Sequence, residues 1–362
     1  MPNPLLQLDA IPDFEHMQAS DIEPALKCLI GEAKQAIDQV VQNKESATWN
    51  NTIVPLDESL EKLGRAWGVV SHLNAVRDHP AWRLAYDENL VHISYFYTAL
   101  AQDFRLFERY QFLAQSEGHQ LTDEQQRVIT LALEDFNLAG AQLLPEKREE
   151  LATLSNELSI LESQFSQNVQ DATDAFGLWF NEQQELAGVP ADILASFEQA
   201  AAVRNRSGYF VGLQTPFYLA IMRHARQREL RKKMHYAYVT RASELGDQPQ
   251  WDNTDLISAI LKKRQKEANL LGYAHYTELS LVKKMAKTPQ QIMNLAQQLL
   301  VSAKKAAQQE FAELTVFAKQ QLGIEKLAPW DIAFASEQLR QQRYAFSEEE
   351  LCLLYTSPSP RD

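Results

Sequence analysis

Metal chemistry would have to use some of the eight histidines: His16, His72, His79, His92, His119, His224, His235 and His275. A zinc hydrolase built on a helix sets two histidines one turn apart with a glutamate between them. Both imidazoles then reach one ion, and the glutamate can act as base on its water. No His-Glu-x-x-His occurs in this chain. His224 and His235, the closest helical pair, would lie about 16 Å apart along an axis at 1.5 Å per residue, too far to share an ion. Each isolated histidine reads as a surface or hydrogen-bonded group.

Covalent chemistry has no better footing. There is no Gly-x-Ser-x-Gly elbow, no Gly-x-x-x-x-Gly-Lys phosphate loop and no Gly-x-Gly-x-x-Gly. Gly64 and Gly68 fall within an amphipathic pattern and read as a site of close helix packing. The carboxylate runs Glu149-Glu150 and Glu348-Glu349-Glu350 read as solvated charge. Two cysteines, Cys28 and Cys352, are too few for a disulfide framework or a four-cysteine zinc site. Cys28 lies in an apolar stretch and reads as a small core residue. Spacing therefore assigns no catalytic, cofactor-binding or metal-ligating residue.

Charge leaves one further candidate. Residues 204–287 hold 16 Lys and Arg against 7 Asp and Glu, although the whole chain has a net charge of −13. Arg226, Arg228, Arg231, Lys232, Lys233 and the run Lys262-Lys263-Arg264-x-Lys266 could line a phosphate-binding face. Helical phase scatters them around the apolar stripes, and the rest of the chain carries the opposite charge. They are expected to be a solvated or domain-facing surface, and neither nucleic acid nor membrane is expected as a partner.

The elements that would position these groups are helical. The 362 residues are 45% hydrophobic and 23% charged, ordinary proportions for a globular protein. Only 12 are glycine, about half the roughly 7% of average usage, and sandwiches or barrels need more. No 18-residue apolar run is present, and the first ten residues lack the basic start of a secretory signal, so a cytoplasmic location is expected. Ser20-Asp-Ile-Glu23 reads as a capping box opening a helix through about Val41. A second helix follows Pro55, with Leu60, Leu63, Trp67 and Val70 on one face. Ile93, Tyr97, Leu100, Phe104 and Phe107 predict a third over 82–113. Thr122-Asp-Glu-Gln125 opens a fourth, with Gly140 near its C-cap.

Leu151, Leu154, Leu158, Leu161, Phe165, Val169, Ala172 and Phe176 make an unbroken stripe after Pro145. Two glycine-flanked aromatic segments then predict a small two-stranded sheet near 177–182 and 208–213, around a helix at 190–203. Helices over 216–224, 226–243 and 252–271 come next. Thr288-Pro-Gln-Gln291 opens one that meets no breaker before Gly323. The expected class is all-α with at most two short strands.

Several tracts resemble the thimet oligopeptidase family of zinc metallopeptidases: Ser71-His-Leu-Asn74, Trp251-Asp-Asn253, Leu270-Leu-Gly-Tyr273, Ser280-Leu-Val-Lys-Lys-Met-Ala286 and Pro329-Trp-Asp-Ile332. The resemblance is collinear from about Asn3 to Leu351. Phe334-Ala335 stands where the family has two aromatics, which touches only packing. The resemblance implies the N-terminal half of a two-lobed, mostly helical fold. Its divisions would be a helical domain at 1–150, a long-helix and short-strand connector at 151–215, and the start of the catalytic domain at 216–351. It further implies a parent enzyme with one zinc ion that hydrolyses short peptides as a monomer. The zinc motif of the family lies downstream of the matching region, so no zinc and no activity are expected of this chain alone. Cys352 to Asp362 departs from the family and reads as a sequencing adapter translated in frame. A helical module that binds peptides or a protein without catalysis remains the alternative.

Overall fold

The computed structural model describes residues 3–7, 11–77 and 79–344. The Glu348-Glu349-Glu350 run and the segment from Cys352 to Asp362 lie outside the described residues. The chain divides into two compact units, Met1–Glu162 with Ile260–Ser280, and Ser163–Ala259 with Leu281–Asp362. Among the described residues the fold is all-α apart from one two-stranded sheet, and no helix is long and apolar enough to cross a membrane.

The first unit contains α1 (Ile22–Gln42), α2 (Val54–Arg77), α3 (Pro80–Ala101), α4 (Phe104–Ser116) and α5 (Asp123–Leu138). It also takes the N-terminal half of α6 (Pro145–Ala175), the C-terminal part of α10 (Thr254–Leu270) and most of α11 (Tyr276–Leu281). The stripe Ile22, Ala25, Leu26, Leu29, Ala33, Ile37 and Val40 is buried along α1 and meets Leu63, Ala66 and Val70 of α2 in one core. Each fully buried aliphatic side chain contributes about 1.5–3 kcal/mol. The Trp82 indole N–H of α3 donates to the Val70 carbonyl at 3.0 Å, and Trp67 stacks on Tyr86 at 4.9 Å.

Four expectations for this unit are corrected. The expected helix over 82–113 is two helices, because the Asp103 carboxylate accepts from the amides of Arg105 and Leu106 and caps a new start. The apolar stripe continues through the break, so periodicity alone hides it. The capping box lies two residues earlier than Ser20 and Glu23, at Gln18 and Asp21. A 3-10 turn precedes α1, and the Gln18 amide donates to Asp21 at 2.8 Å. Cys28 is exposed, since at about 100° per residue it falls a third of a turn away from the stripe centred on Leu29 and Ala33. Gly64 and Gly68 mark no close packing: a Cβ at Gly68 would meet nothing within 4 Å, and one at Gly64 only the Tyr97 hydroxyl at 3.9 Å.

The second unit holds the rest of α6, the strands β1 (Gly177–Phe180) and β2 (Tyr209–Gly212), α7 (Ala191–Val203), α8 (Thr215–His224) and α9 (Arg228–Thr240). The start of α10, α12 (Pro289–Leu322) and α13 (Pro329–Tyr344) complete it. The strands pair antiparallel with Gly177 opposite Gly212 and Phe180 opposite Tyr209. Leu178, Phe180, Tyr209 and Val211 face a core that includes Phe197, Ile221 and Met234. Gly208 is required where it stands: its φ is +96°, and a Cβ there would come within 2.4 Å of the Phe180 carbonyl oxygen. Helix α9 is shorter than the expected 226–243 because the Arg226 amide is spent on the Ala187 carbonyl and Ala242 adopts a φ of 51°. Helix α12 has the expected Thr288–Gln291 box and the left-handed Gly323 at its end. Over most of its length it stands exposed, and only its last turns, at Leu314 and Ala318, pack on α13 at Ala335.

Candidate functional site

The histidines do not converge. His16 pairs with Asp13, while His224 is buried on α8. His235 lies on α9, with its ring nitrogen 3.3 Å from the Tyr218 hydroxyl and its ring 6.1 Å from Trp330. Among the described residues, no three of His, Cys, Asp and Glu come together in a way that could hold a metal ion.

The basic band, in contrast, is organised. In the first unit the Lys262-Lys263-Arg264-x-Lys266 run on α10 faces the acidic side of α6. Lys263 meets Glu157 at 2.5 Å, Arg264 meets Glu162 at 2.6 Å and Lys266 meets Glu150 at 2.5 Å. The three cations fall within a single turn of α10, and their long side chains fan out to carboxylates spread along α6 from Glu150 to Glu162. This face is therefore a charge-paired helix contact rather than a free phosphate cradle. Glu150, expected to be solvated, is one of its partners.

In the second unit the band supplies a buried clasp. Asp331, in the first turn of α13, is 0% exposed and Arg231 of α9 is 1% exposed. Asp331 accepts from Arg231 Nη2 at 2.9 Å, from Arg228 Nη2 at 2.7 Å and Nε at 3.0 Å, and from the Ala328 amide at 3.0 Å. The remaining Arg231 donors go to the carbonyls of Trp330, Ala225 and Arg226. A buried charge survives only when it is paired and its donors are satisfied, and both conditions are met. Burial pushes the Asp331 carboxyl up, but the bonds from Arg228, the Ala328 amide and Arg231 outweigh it and hold the pKa below the ordinary carboxylate value. Burial lowers the pKa of the Arg231 guanidinium, which also lies 4.1 Å from the Phe334 ring centroid. Phe334 and Ala335 are both buried, so the departure from the family pattern is a packing matter.

Sequence reasoning placed Arg228 and Arg231 in the band, and Asp331 in a quoted tract, but did not join them. The available signal was an aspartate following a tryptophan in the first helical turn. The clasp orders α13 against α8 and α9, and offers no atom free to act on a substrate.

Residues 221–359 match peptidase family M3, and residues 26–148 match the N-terminal domain of neurolysin and thimet oligopeptidase. Oligopeptidase A of Haemophilus influenzae is 39% identical over 353 residues, 97% of this chain and 52% of that protein. Oligopeptidase A of Escherichia coli is 35% identical over the same shares. The probable cytosolic oligopeptidase A of Arabidopsis thaliana is 34% identical over 370 residues, 99% of this chain and 52% of that protein. This chain thus spans about half the length of the curated relatives it matches. The chain carries a segment that matches peptidase family M3, preceded by one that matches the N-terminal domain of neurolysin and thimet oligopeptidase.

Proposed function

We propose that this chain is the N-terminal half of a zinc-dependent oligopeptidase that hydrolyses short peptides. The observation that carries the reading is the 39% identity over 97% of the chain to a protein of which it covers 52%. The residues present do not suit a zinc ion: the sequence has no His-Glu-x-x-His, and the described residues gather no donor set. Zinc, when bound in such an enzyme, polarises the scissile carbonyl and lowers the pKa of its water. Its ligands and the general base would come from the half of the relatives' length that has no counterpart in these 362 residues. No catalytic step is assigned to this chain.

The role left to the chain is scaffold. The clasp on Asp331 fixes α13, and the ion pairs between α6 and α10 stiffen the first unit. Helix α12 offers an apolar face made of Ile292, Leu295 and Leu299, each 45–61% exposed, suited to burial against further polypeptide. The divisions 1–150, 151–215 and 216–351 belong to the same proposal. So do a cytoplasmic location, a monomeric state, short peptides as substrates, and the absence of nucleic acid or membrane partners. The net charge of −13 and the internal pairing of the basic run both weigh against a polyanionic ligand.

Two proteins test the reading: this chain, and the product of the gene read continuously past the Leu351 codon. An internally quenched bradykinin-like peptide should be cleaved by the longer product in a chelator-sensitive way and left intact by this chain, which should bind no stoichiometric zinc. Chelator-sensitive cleavage by the 362-residue chain would overturn it, as would a native stop codon at that point.

A further inference from the structure

Helix α12 carries an apolar stripe that nothing among the described residues covers. Every residue from Gln290 to Glu313 is exposed, with Ile292, Met293, Leu295, Leu299 and Leu300 between 45% and 62%. At about 100° per residue, Ile292, Leu295, Leu299, Ala303 and Ala306 all fall within about 40° of one line along the helix. Met293, Ala296, Leu300 and Ala307 flank that line on one side, and Gln291, Gln298 and Ser302 bound it on the other. The helix is complete in itself, capped by Thr288 and ended by Gly323, so the stripe is not a frayed end. A contiguous apolar surface of this kind marks a contact.

The order of side-chain sizes along the stripe selects the occupant. The first half is large, with Ile292, Leu295 and Leu299, and the second half is small, with Ala303 and Ala306. The positions are also symmetric about Leu299: Ile292 precedes it by as many residues as Ala306 follows it, and Leu295 by as many as Ala303. A second α12 laid antiparallel, with a two-fold axis at Leu299, therefore sets Ile292 on Ala306 and Leu295 on Ala303 at both ends. Large against small is how facing layers interdigitate without voids, and a two-fold interface requires this self-complementarity. A parallel pair in register would instead set Ala303 on Ala303 and Ala306 on Ala306, leaving gaps.

Charge selects the same arrangement. Between Lys287 and Glu310 the charged residues are Lys304 and Lys305. A parallel pair would bring these two onto their own copies, and like charges so placed repel. The antiparallel register sets them level with Asn294 and Met293, and brings Glu310 beside Lys287 of the second copy at each end. A half-exposed aliphatic side chain of this size loses about 80 Å2 when covered. The five large side chains of each copy, with the alanines, then bury about 1,000 Å2 in total, the least that a specific interface needs. That area suits a dimer that forms in the micromolar range and separates on dilution.

We propose that two copies of this 362-residue chain associate through α12, antiparallel about Leu299. The monomeric state proposed above is that of the longer product, in which further polypeptide takes this face. The dimer is a property of the chain with the face uncovered, and it does not rest on that reading.

The test is sedimentation equilibrium on the 362-residue chain from low micromolar to a few hundred micromolar. The average mass should rise with concentration toward that of two chains and go no further. Leu299→Glu, which sets two carboxylates face to face on the axis, should weaken association at least tenfold and leave the circular dichroism spectrum unchanged. Val301→Glu, at a residue 69% exposed against 61% for Leu299 but about 160° around the helix, should leave association as it was. Orientation is read with a short bismaleimide in a Cys28→Ser, Cys352→Ser background. Leu299→Cys should cross-link to its own copy, and Ile292→Cys should cross-link to Ala306→Cys but not to itself. A mass that stays that of one chain overturns the proposal. So does growth beyond two chains, an equal loss from Val301→Glu, or self-cross-linking of Ile292→Cys. None of these results alters the cleavage test on the longer product.

Discussion

Removing the Asp331 carboxylate should be the most costly single change in the second unit. Asp331→Ala strips the counter-charge from an Arg231 guanidinium that is 1% exposed and cannot relax into water. It also frees the Ala328 amide and releases Arg228. Breaking a buried pair on one side costs about 3–5 kcal/mol, because the surviving charge remains desolvated. Three carbonyls still hold Arg231, at 2.7 to 3.2 Å, which places the expected loss near the lower end. Asp331→Asn keeps the shape and one acceptor but loses the charge, and should cost roughly 1.5–3 kcal/mol, the worth of a hydrogen bond to a charged group. The sign with pH follows from the lowered carboxyl pKa. Its contribution is complete above the unfolded value of about 3.9 and is lost as pH falls through the lower folded value. Urea unfolding followed by circular dichroism should therefore show a gap between wild type and Asp331→Asn that is constant from pH 5 to 8 and closes below pH 4. Arg231→Met combined with Asp331→Ala should cost less than the two single losses added, since the double change leaves no orphaned charge. A loss under about 1 kcal/mol for Asp331→Ala, or strict additivity in that cycle, would refute the clasp.

Glycine substitutions should divide by backbone and space. Gly208→Ala, at φ +96° with the Phe180 carbonyl in the way, should lower stability by about 1–3 kcal/mol; a neutral result in thermal melts would contradict the strand register. Gly68→Ala, with open space around it, should raise stability by up to about 1 kcal/mol, and a loss would mean that the α2 face is covered. Partial desolvation and the neighbouring Glu32 carboxylate raise the pKa of the exposed Cys28 thiol, so less thiolate is present at a given pH. In a Cys352→Ser background, Glu32→Gln should accelerate Cys28 modification by a disulfide reagent at pH 8, and an unchanged rate would remove Glu32 as a cause. Limited proteolysis should cut first within residues 290–313, where every side chain is exposed, and leave an N-terminal helical core; first cleavage within α1 to α4 would reverse that order.

Local patterns in the sequence carried much of the fold. The 3,4 spacing through α1, α6 and α12, the Thr122 and Thr288 boxes, and the glycines after α5, α10 and α12 each encode their element within a few residues. Where two local codes compete, periodicity misleads. The stripe through Phe104 and Phe107 runs across a break that Asp103 makes by capping the next helix. Cys28 sits among apolar neighbours in sequence yet falls off the buried face by angle. The β1–β2 pairing was legible from its glycine-flanked aromatic segments, but the charged pairings across the chain were not. The Asp331 clasp joins residues 100 and 103 apart, and the glutamates that neutralise the α10 run lie 102 and 106 residues away for Arg264 and Lys263. Charge clustering was visible, but its partners were not, and the partners decide whether a basic run is a ligand site or a structural seam.

The same distinction separates two kinds of exposed surface on this chain. At Gly68 the surface lacks any unmet chemistry, since an open position beside a helix needs nothing to complete it. Helix α12 is different. It is 34 residues long, about 50 Å at 1.5 Å per residue, yet only its last turns are packed. Ile292, Met293, Leu295, Leu299, Leu300 and Val301 stand 45–69% exposed within three turns. Scattered apolar side chains are normal on a protein surface, whereas a contiguous patch of this kind marks a contact. Restoring burial to even half of these six side chains, at about 1.5–3 kcal/mol for each fully covered one, would contribute as much as many whole domains retain on folding. An apolar face of that worth is carried by a helix whose caps are complete, and under the proposed function it is the face suited to burial against further polypeptide.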